Sequence, residues 1–347
     1  MVVVAERGAY KPSKKYLKIL PCFNRWGNYE KEILEALTEI DPDIVHIQHE
    51  FAIFHPDDRF LKLLDYLENT RIVVTMHTVH TNITSDWGGM AMSMEEYIRA
   101  IGRRVDKIIV HQNSMRDALI SEGVKERKIH VIQHGTPILE KLDQKKARAG
   151  LRLPKEGKTI LSFGFFGRNK NRGVIIEALP RILKAIPDAY LFISCFPREW
   201  VREDSECLRD YKEKADKMKL KDHVIFSDRF IPDEEIPAAL SSSDIAILPY
   251  NQRYLSASGS LHLALGAYKP VVVSRIPKFE EMWEEISDEM VFNPTDSQRL
   301  AEIVVKALKD ERFRKRIVSK VKLYADKTSW KETAKKHVDL YRSLLVP

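Results

Sequence analysis

Cysteine is scarce: Cys22, Cys195 and Cys207 are the only three, and no two stand in a C-x-x-C spacing. An odd number without that spacing excludes a secreted-type disulfide framework and supplies no zinc-ribbon ligand set. No apolar run reaches the roughly 18 residues that a conventional membrane-spanning helix needs. The first residues lack a charged-then-apolar leader, so the expected compartment is the cytoplasm. Three motifs are also missing: a Walker A loop, a G-x-G-x-x-G fingerprint and a G-x-S-x-G elbow. Their absence removes the simplest arguments for a P-loop nucleotidase, a nicotinamide enzyme or a Ser-His-Asp hydrolase.

What is present suits a folded, densely charged protein. A length of 347 residues fits two domains of roughly 150 residues each better than one core. The 57 basic and 50 acidic residues are interspersed and leave a net charge of +7. Such a surface suits phosphate-bearing ligands, and peripheral contact with anionic membrane is open. Nucleic acid is not expected as a partner, since no basic helix or aromatic stacking platform occurs. The abundance of Lys, Glu and Arg hints at a heat-adapted source on composition alone.

Short β-branched runs alternate with longer amphipathic stretches. Val2–Ala5, Ile44–Gln48, Ile72–Met76 and Lys107–His111 read as buried parallel strands, each followed by a helical pattern. The series restarts after about Asp143 with strands Thr159–Phe163, Tyr190–Ser194, His223–Phe226, Ile245–Leu248 and Val271–Ser274. Helices are expected over Gly173–Ala185, Asp204–Met218, Glu234–Leu240 and Asp296–Leu308. This gives an α/β protein with two parallel sheets covered by helices. The Lys-rich stretch Glu140–Glu156, with Pro154, reads as the linker. A last helix, Trp330–Leu345, places Ala334, Val338, Tyr341, Leu344 and Leu345 to pack on a surface.

Three segments carry chemistry. In Gly164-Phe-Phe-Gly167-Arg168-Asn169-Lys170-Asn171-Arg172-Gly173, a strand gives way to a helix through a glycine-bearing basic loop. Helix N-terminal amides with three cations suit a diphosphate, and the plain alternative is a solvated basic loop. The second segment is Ser256-Ala-Ser258-Gly259-Ser260-Leu261, small residues before another helix N-terminus. It is either a second anion cradle or a tightly packed turn. The third pairs His46-Ile-Gln48-His49-Glu50 with Thr75-Met-His77-Thr78-Val79-His80, at strand C-terminal ends where open α/β sheets bind ligands. Sugar contact, a structural role and a metal are all open there, and a metal fits least because His46 and His49 straddle a strand end. Asp41-Pro42-Asp43 is a D-x-D only formally, since it precedes a strand as turn chemistry.

With these residues in view, the chain resembles the family-four retaining glycosyltransferases of the B-type (GT-B, double-Rossmann) fold. The likeness runs in order through Asp43–Phe51, Val74–Val79, Lys128–Gly135, Ile160–Gly173 with Glu177–Leu179, Val224–Pro232, Ser243–Tyr250 and Ser258–Val273. It implies two Rossmann-like domains facing a central cleft: an acceptor-side domain over 1–143 and a nucleotide-sugar-binding domain over 144–328. Residues 329–347 would form a helix crossing back to the N-terminal domain. Arg168 and Lys170 would bind the donor diphosphate, with Arg172 as an alternative and Gly167 in the same loop. The turn Ser258, Gly259, Ser260 and Leu261 would offer backbone N–H groups to those phosphates. His77 would contact the transferred sugar near the reacting carbon, and His49, Glu50, His134 and Gly135 would line the substrate site. The resemblance further implies transfer with retention of configuration and without a metal or other cofactor.

Two departures stand out. The family's paired glutamates, counted back from Pro270, fall on Leu263 and Leu255, and Glu280 and Glu281 are nearby candidates for a substitute contact. The chain also begins at what resembles the family's second strand, without the first strand and its Gly-rich loop. An incomplete first domain would leave a sheet position for another chain to cover, so a homo-oligomer is open. The expected activity is transfer of a hexose, mannose or glucose, from a donor such as GDP-mannose, UDP-glucose or ADP-glucose to a carbohydrate or lipid-linked acceptor. The alternatives are a silent nucleotide-sugar-binding or scaffold protein and a different enzyme on the same fold, such as an epimerase.

Overall fold

The computed structural model describes residues 1–9, 15–80, 92–195, 197–198, 201–227, 229, 231–252 and 254–346. Asp228 and Phe230, inside the Val224–Pro232 segment, lie outside them. The chain forms two compact units. The first comprises Met1–Gln133, Tyr254–Ser256 and Lys336–Pro347, and the second His134–Arg253 and Ala257–Lys335.

The first unit contains β1 (Val2–Glu6), β2 (Lys18–Phe23), α1 (Tyr29–Ile40), β3 (Ile44–His49), α2 (Asp58–Tyr66), β4 (Arg71–Met76), β5 (Thr78–Val79), α3 (Met94–Arg104), β6 (Lys107–Val110), α4 (Asn113–Ser121) and β7 (Ile129–Val131). β3, β4, β6 and β7 form a parallel sheet in that order. Its β-branched runs are buried at successive positions, Ile72 to Val74 and Ile108 to Val110, as a sheet covered on both faces requires. β1 and β2 pair separately, also in parallel. β2 escapes the sequence pattern because Lys-Ile-Leu-Pro-Cys-Phe does not alternate and carries Pro21, which suits a strand with a single partner.

The second unit contains α5 (Gln144–Gly150), β8 (Lys158–Phe163), α6 (Gly173–Ala185), β9 (Ala189–Ser194), α7 (Arg202–Lys217), β10 (Val224–Phe226), α8 (Ile236–Ser242) and β11 (Ile245–Leu248). β12 (Leu255–Ser256) pairs antiparallel with β5 in the first unit's fold. Then come α9 (Gly259–Gly266), β13 (Val271–Ser274), β14 (Val291–Phe292), α10 (Ser297–Lys309), α11 (Glu311–Lys327) and α12 (Trp330–Leu345). The sheet order is β10-β9-β8-β11-β13-β14, every pair parallel. The chain therefore walks outward from β8 to β10, returns, and continues from β11 on the other side of β8. That reversal makes the C-terminal ends of β8 and β11 the switch point where such sheets take ligands.

Three sequence expectations need correction. Val2–Ala5 is a strand but not a buried one, since Val2 and Val3 are exposed, and β2 rather than a helix follows it. The stretch Glu140–Glu156 is not a bare linker. It holds α5, capped by Asp143, with Ala147 and Arg148 buried. Arg148 donates to Ser242 O and to the Asp244 carboxylate, so a charged side chain faces inward where composition suggested solvent. In α12, Ala334, Val338 and Leu345 are exposed. The inward residue is Leu340, clustered with Val73, Ile109 and Ile132 and flanked by Tyr341 and Leu344. The end of this helix thus belongs to the first unit, and Lys336 Nζ donates to Gln133 Oε1 there.

Candidate active site

In the second unit, the switch point is built from the loop after β8 and the residues after β9 and β11. Gly164 has φ +101°, a left-handed backbone that favours glycine, and brings the loop close to its neighbours. A Cβ there would lie 3.2 Å from Ser260 Oγ, 3.7 Å from the Tyr250 hydroxyl and 4.0 Å from Arg172 Nη2. Gly167 is buried at φ +138° and precedes a single 3-10 turn over Arg168–Lys170. The turn is fastened by Asn169 Nδ2 to Gln252 Oε1 and by Asn171 Nδ2 to Pro294 O.

This turn sends its cations to different places. Lys170 Nζ sits 3.8 Å from the Tyr250 ring centroid. Burial, reinforced by Arg172 and Arg198, brings its pKa down to about 8. Arg172 is 0% exposed; its Nη2 donates to Phe163 O at 3.0 Å, while Nε and Nη1 have no hydrogen-bond partner among the described residues. Among the described residues no carboxylate is in ion-pair contact with Lys170 or Arg172; the buried Asp204 carboxylate, which acts on Arg172, is paired with Arg198. Burial also raises the Tyr250 phenol and pushes the Cys195 thiol up to about 11. The Cys195 thiol and the Tyr250 phenol are thus neutral at pH 7, while Lys170, Arg172 and Arg198 together outweigh the Asp204 carboxylate. Electrostatically it is an anion receptor.

Arg168 does not join them. Its side chain is 60% exposed, ion-paired with Asp210 at 3.2 Å, and lines a separate cavity of about 640 Å³ with Asn171, Tyr211 and Lys214. In the turn before α9, Ser258 Oγ accepts from Leu261 N at 3.2 Å, so the Leu261 amide is already used as part of a helix cap. Gly259 and Ser260 keep the remaining amides of that N-terminus.

In the first unit, the C-terminal ends of β3, β4 and β6 carry a connected polar group. His77 Nε2 lies 2.8 Å from Gln48 Oε1, and its Nδ1 lies 3.1 Å from His111 Nε2. Desolvation lowers the His77 pKa, opposed by the nearby Glu50 carboxylate. Glu50 accepts from Phe51 N at 3.1 Å and Thr78 Oγ1 at 2.8 Å, which engages both carboxylate oxygens. His49 is different again: it is 0% exposed, ringed by Phe51, Phe54, Phe60 and Tyr97, and both ring nitrogens lack hydrogen-bond partners among the described residues. It is packed as a core residue. Burial drives its pKa down to about 3, so the ring is neutral near pH 7.

His134 and Gly135 stand beside Trp330. A Cβ on Gly135 would lie 2.2 Å from the Trp330 ring, so only glycine lets that indole pack, and His134 stands 5.6 Å from the same ring. Glu280 and Glu281 are buried; Glu281 Oε1 lies 3.5 Å from His262 Nε2, whose other nitrogen meets Thr136 Oγ1 at 2.7 Å. Leu263 packs on the core of the second unit and Leu255 on that of the first, so neither glutamate position presents a polar group. Residue-by-residue reading missed Tyr250, Cys195 and His111. Their common signal is position: each stands within, or just after the end of, a parallel strand.

Comparison with known proteins fits this architecture. The profile for "Glycosyl transferases group 1" matches residues 143–323, and that for "Glycosyltransferase Family 4" matches residues 4–138. Mannosylfructose-phosphate synthase of Agrobacterium fabrum is 24% identical over 217 residues, covering 61% of this chain and 47% of the relative. D-inositol 3-phosphate glycosyltransferase of Corynebacterium urealyticum is 27% identical over 303 residues, covering 81% and 68%. The chain thus spans about half the length of the first relative and about two thirds of the second. Anabaena HepE, solved in complex with UDP, superposes with a TM-score of 0.74 at 15% identity over 94% of this chain and 86% of that one. The chain belongs to the group 1 glycosyl transferases, with the double-Rossmann fold of the family-four enzymes.

Proposed function

We propose that this protein is a retaining hexosyltransferase that takes mannose or glucose from a nucleoside-diphosphate sugar and needs no metal. The observation that carries the reading is the pair of cations, half-buried Lys170 and fully buried Arg172, without an ion-paired carboxylate among the described residues at the β8/β11 switch point. A donor diphosphate supplies the missing negative charge. In the transfer step the bond between C1 of the sugar and the phosphate oxygen breaks, and the acceptor oxygen bonds to C1 on the same face. The acceptor proton passes to the departing phosphate. Lys170 and Arg172 stabilise the charge that develops on that leaving group, which removes the need for a cation from solution. The Gly259 and Ser260 amides, at the positive end of α9, act in the same sense. His77 contacts the sugar. Support for the donor class comes from the UDP bound to HepE, and for mannose from the name of the Agrobacterium relative. The acceptor is a carbohydrate or a lipid-linked carbohydrate.

A second reading, a silent nucleotide-sugar binder, is favoured by Leu255 and Leu263 standing where the resemblance sets glutamates. Thermal-shift titration against GDP-mannose, UDP-glucose, ADP-glucose and the bare nucleotides tests the shared premise, since a ligand that binds only the native state raises its stability. One nucleotide should raise Tm in the presence of EDTA, and its sugar should be released on longer incubation. Binding without release would favour the silent reading. No shift with any nucleotide would overturn both.

A further inference from the structure

With every ring neutral, the hydrogen-bonding groups at the ends of β3, β4 and β6 form a chain of one consistent direction. His111 Nδ1 lies 3.0 Å from Ile132 O. A carbonyl only accepts, so Nδ1 carries the proton of the neutral ring and Nε2 is left as a lone pair. His77 Nδ1 stands 3.1 Å from that lone pair and must donate to it, which makes His77 Nε2 an acceptor in turn. Beside it, at 2.8 Å, is the Gln48 amide, drawn with its oxygen toward His77. The oxygen and nitrogen of an amide are nearly interchangeable in shape, and turning the group over lets its N–H donate to His77 Nε2. The Gln48 oxygen then faces His46 Nε2, 3.2 Å away. That nitrogen is a donor in the tautomer in which His46 Nδ1, 2.5 Å from the Tyr341 hydroxyl, accepts from it and Nε2 faces Thr75 Oγ1 at 2.7 Å. Burial draws the His46 pKa down to about 4, so its ring has a single proton to place. Every donor from Tyr341 to His111 then points the same way, ending at Ile132 O.

We infer that His111 is a positioning residue, whose bond to Ile132 O fixes His77 as the Nδ1-protonated tautomer and leaves His77 Nε2 to accept a hydrogen bond from a hydroxyl of the transferred sugar. This rests on the reading of His77 as the sugar contact. Gln48, on the exposed side of the group, is the donor that the hydroxyl replaces. The bonds exchanged are of one kind, an N–H···N for an O–H···N, so the ring need not change protonation state to take the sugar.

Long-range 1H–15N NMR of 15N-histidine-labelled protein at pH 7.5 reads the tautomer directly. His77 should appear with Nδ1 protonated and Nε2 bare. In His111→Leu, which removes the acceptor, the proton should move to Nε2; in His111→Gln, whose amide oxygen can replace the acceptor, it should stay on Nδ1. Donor turnover should fall roughly tenfold in His111→Leu, the worth of one net hydrogen bond, and recover most of that in His111→Gln. A wild-type His77 protonated on Nε2, or one whose tautomer ignores His111→Leu, would overturn the inference. If His111→Leu does not fold, the wild-type tautomer and His111→Gln still decide it. The readout needs no donor, so the predicted tautomer in a protein that binds no nucleotide-sugar would uphold the hydrogen-bond chain and refute the transferase reading alone.

Discussion

Lys170 and Arg168 are two residues apart in the chain, yet a single 3-10 turn separates their environments. Lys170 lies against Tyr250 without a carboxylate, while Arg168 is exposed and paired with Asp210. Lys170→Ala should therefore weaken nucleotide-sugar binding at least tenfold, and Arg168→Ala less than about threefold, an exposed ion pair being worth little. Isothermal titration of the two variants checks the contrast, and equal losses would contradict it. The same lysine sets a pH dependence. Its pKa in the ligand-free protein is about 8, and a bound diphosphate favours the charged form and raises it. Affinity should hold below pH 8 and then fall, approaching tenfold per pH unit until the pKa of the complex is reached. His49 gives a stability counterpart. Its folded pKa of about 3 is below the ordinary histidine value of 6.5, so the native state binds fewer protons and loses stability as pH falls through that window. His49→Leu removes this loss and two unpaired buried nitrogens, and should stabilise by about 1 kcal/mol at neutral pH. The Tm advantage should widen from pH 6.5 to 5. Much of this was legible in the sequence only as a segment. The glycine-bearing basic loop and the histidine-rich strand ends were identifiable, but which cation points inward is decided by the turn, and whether a histidine faces solvent or Phe54 is decided by packing.

At the level of elements, the sequence was most informative where burial on both faces forced β-branched runs. Ile245–Leu248 and Val271–Ser274 read as strands and are strands, because nothing else accommodates such runs between turn residues. β2 and α5 were illegible for opposite reasons: one strand carries a proline and no alternation, and one helix hides a buried Arg–Asp pair in a Lys-rich stretch. The helix most consequential for the site is α9. Ser258 caps it by accepting from Leu261 N, leaving the Gly259 and Ser260 amides available to an anion. Ser258→Ala should lower stability by about 1 kcal/mol and, in thermal denaturation, enlarge the stabilisation gained on adding nucleotide, since the ligand then satisfies an amide the cap no longer holds. An unchanged Tm would show that the cap is redundant.

For the molecule as a whole, the double βα series seen in the sequence corresponds to two units with parallel sheets, and the strand order adds what the sequence could not supply. Reversal of that order at β8 and β11 marks one place in the second unit, and half-buried Lys170 and buried Arg172 stand at it. The central claim is that these cations serve glycosyl transfer from a nucleoside-diphosphate sugar. The most direct test follows C1-13C-labelled donor sugars by NMR with the wild type and with Lys170→Ala, at pH 7.5 in EDTA. The account predicts that the wild type releases or transfers the sugar with its anomeric configuration retained, and that Lys170→Ala slows this at least a hundredfold, as the loss of a leaving-group cation should. Inverted product, or turnover undiminished in Lys170→Ala, would contradict it.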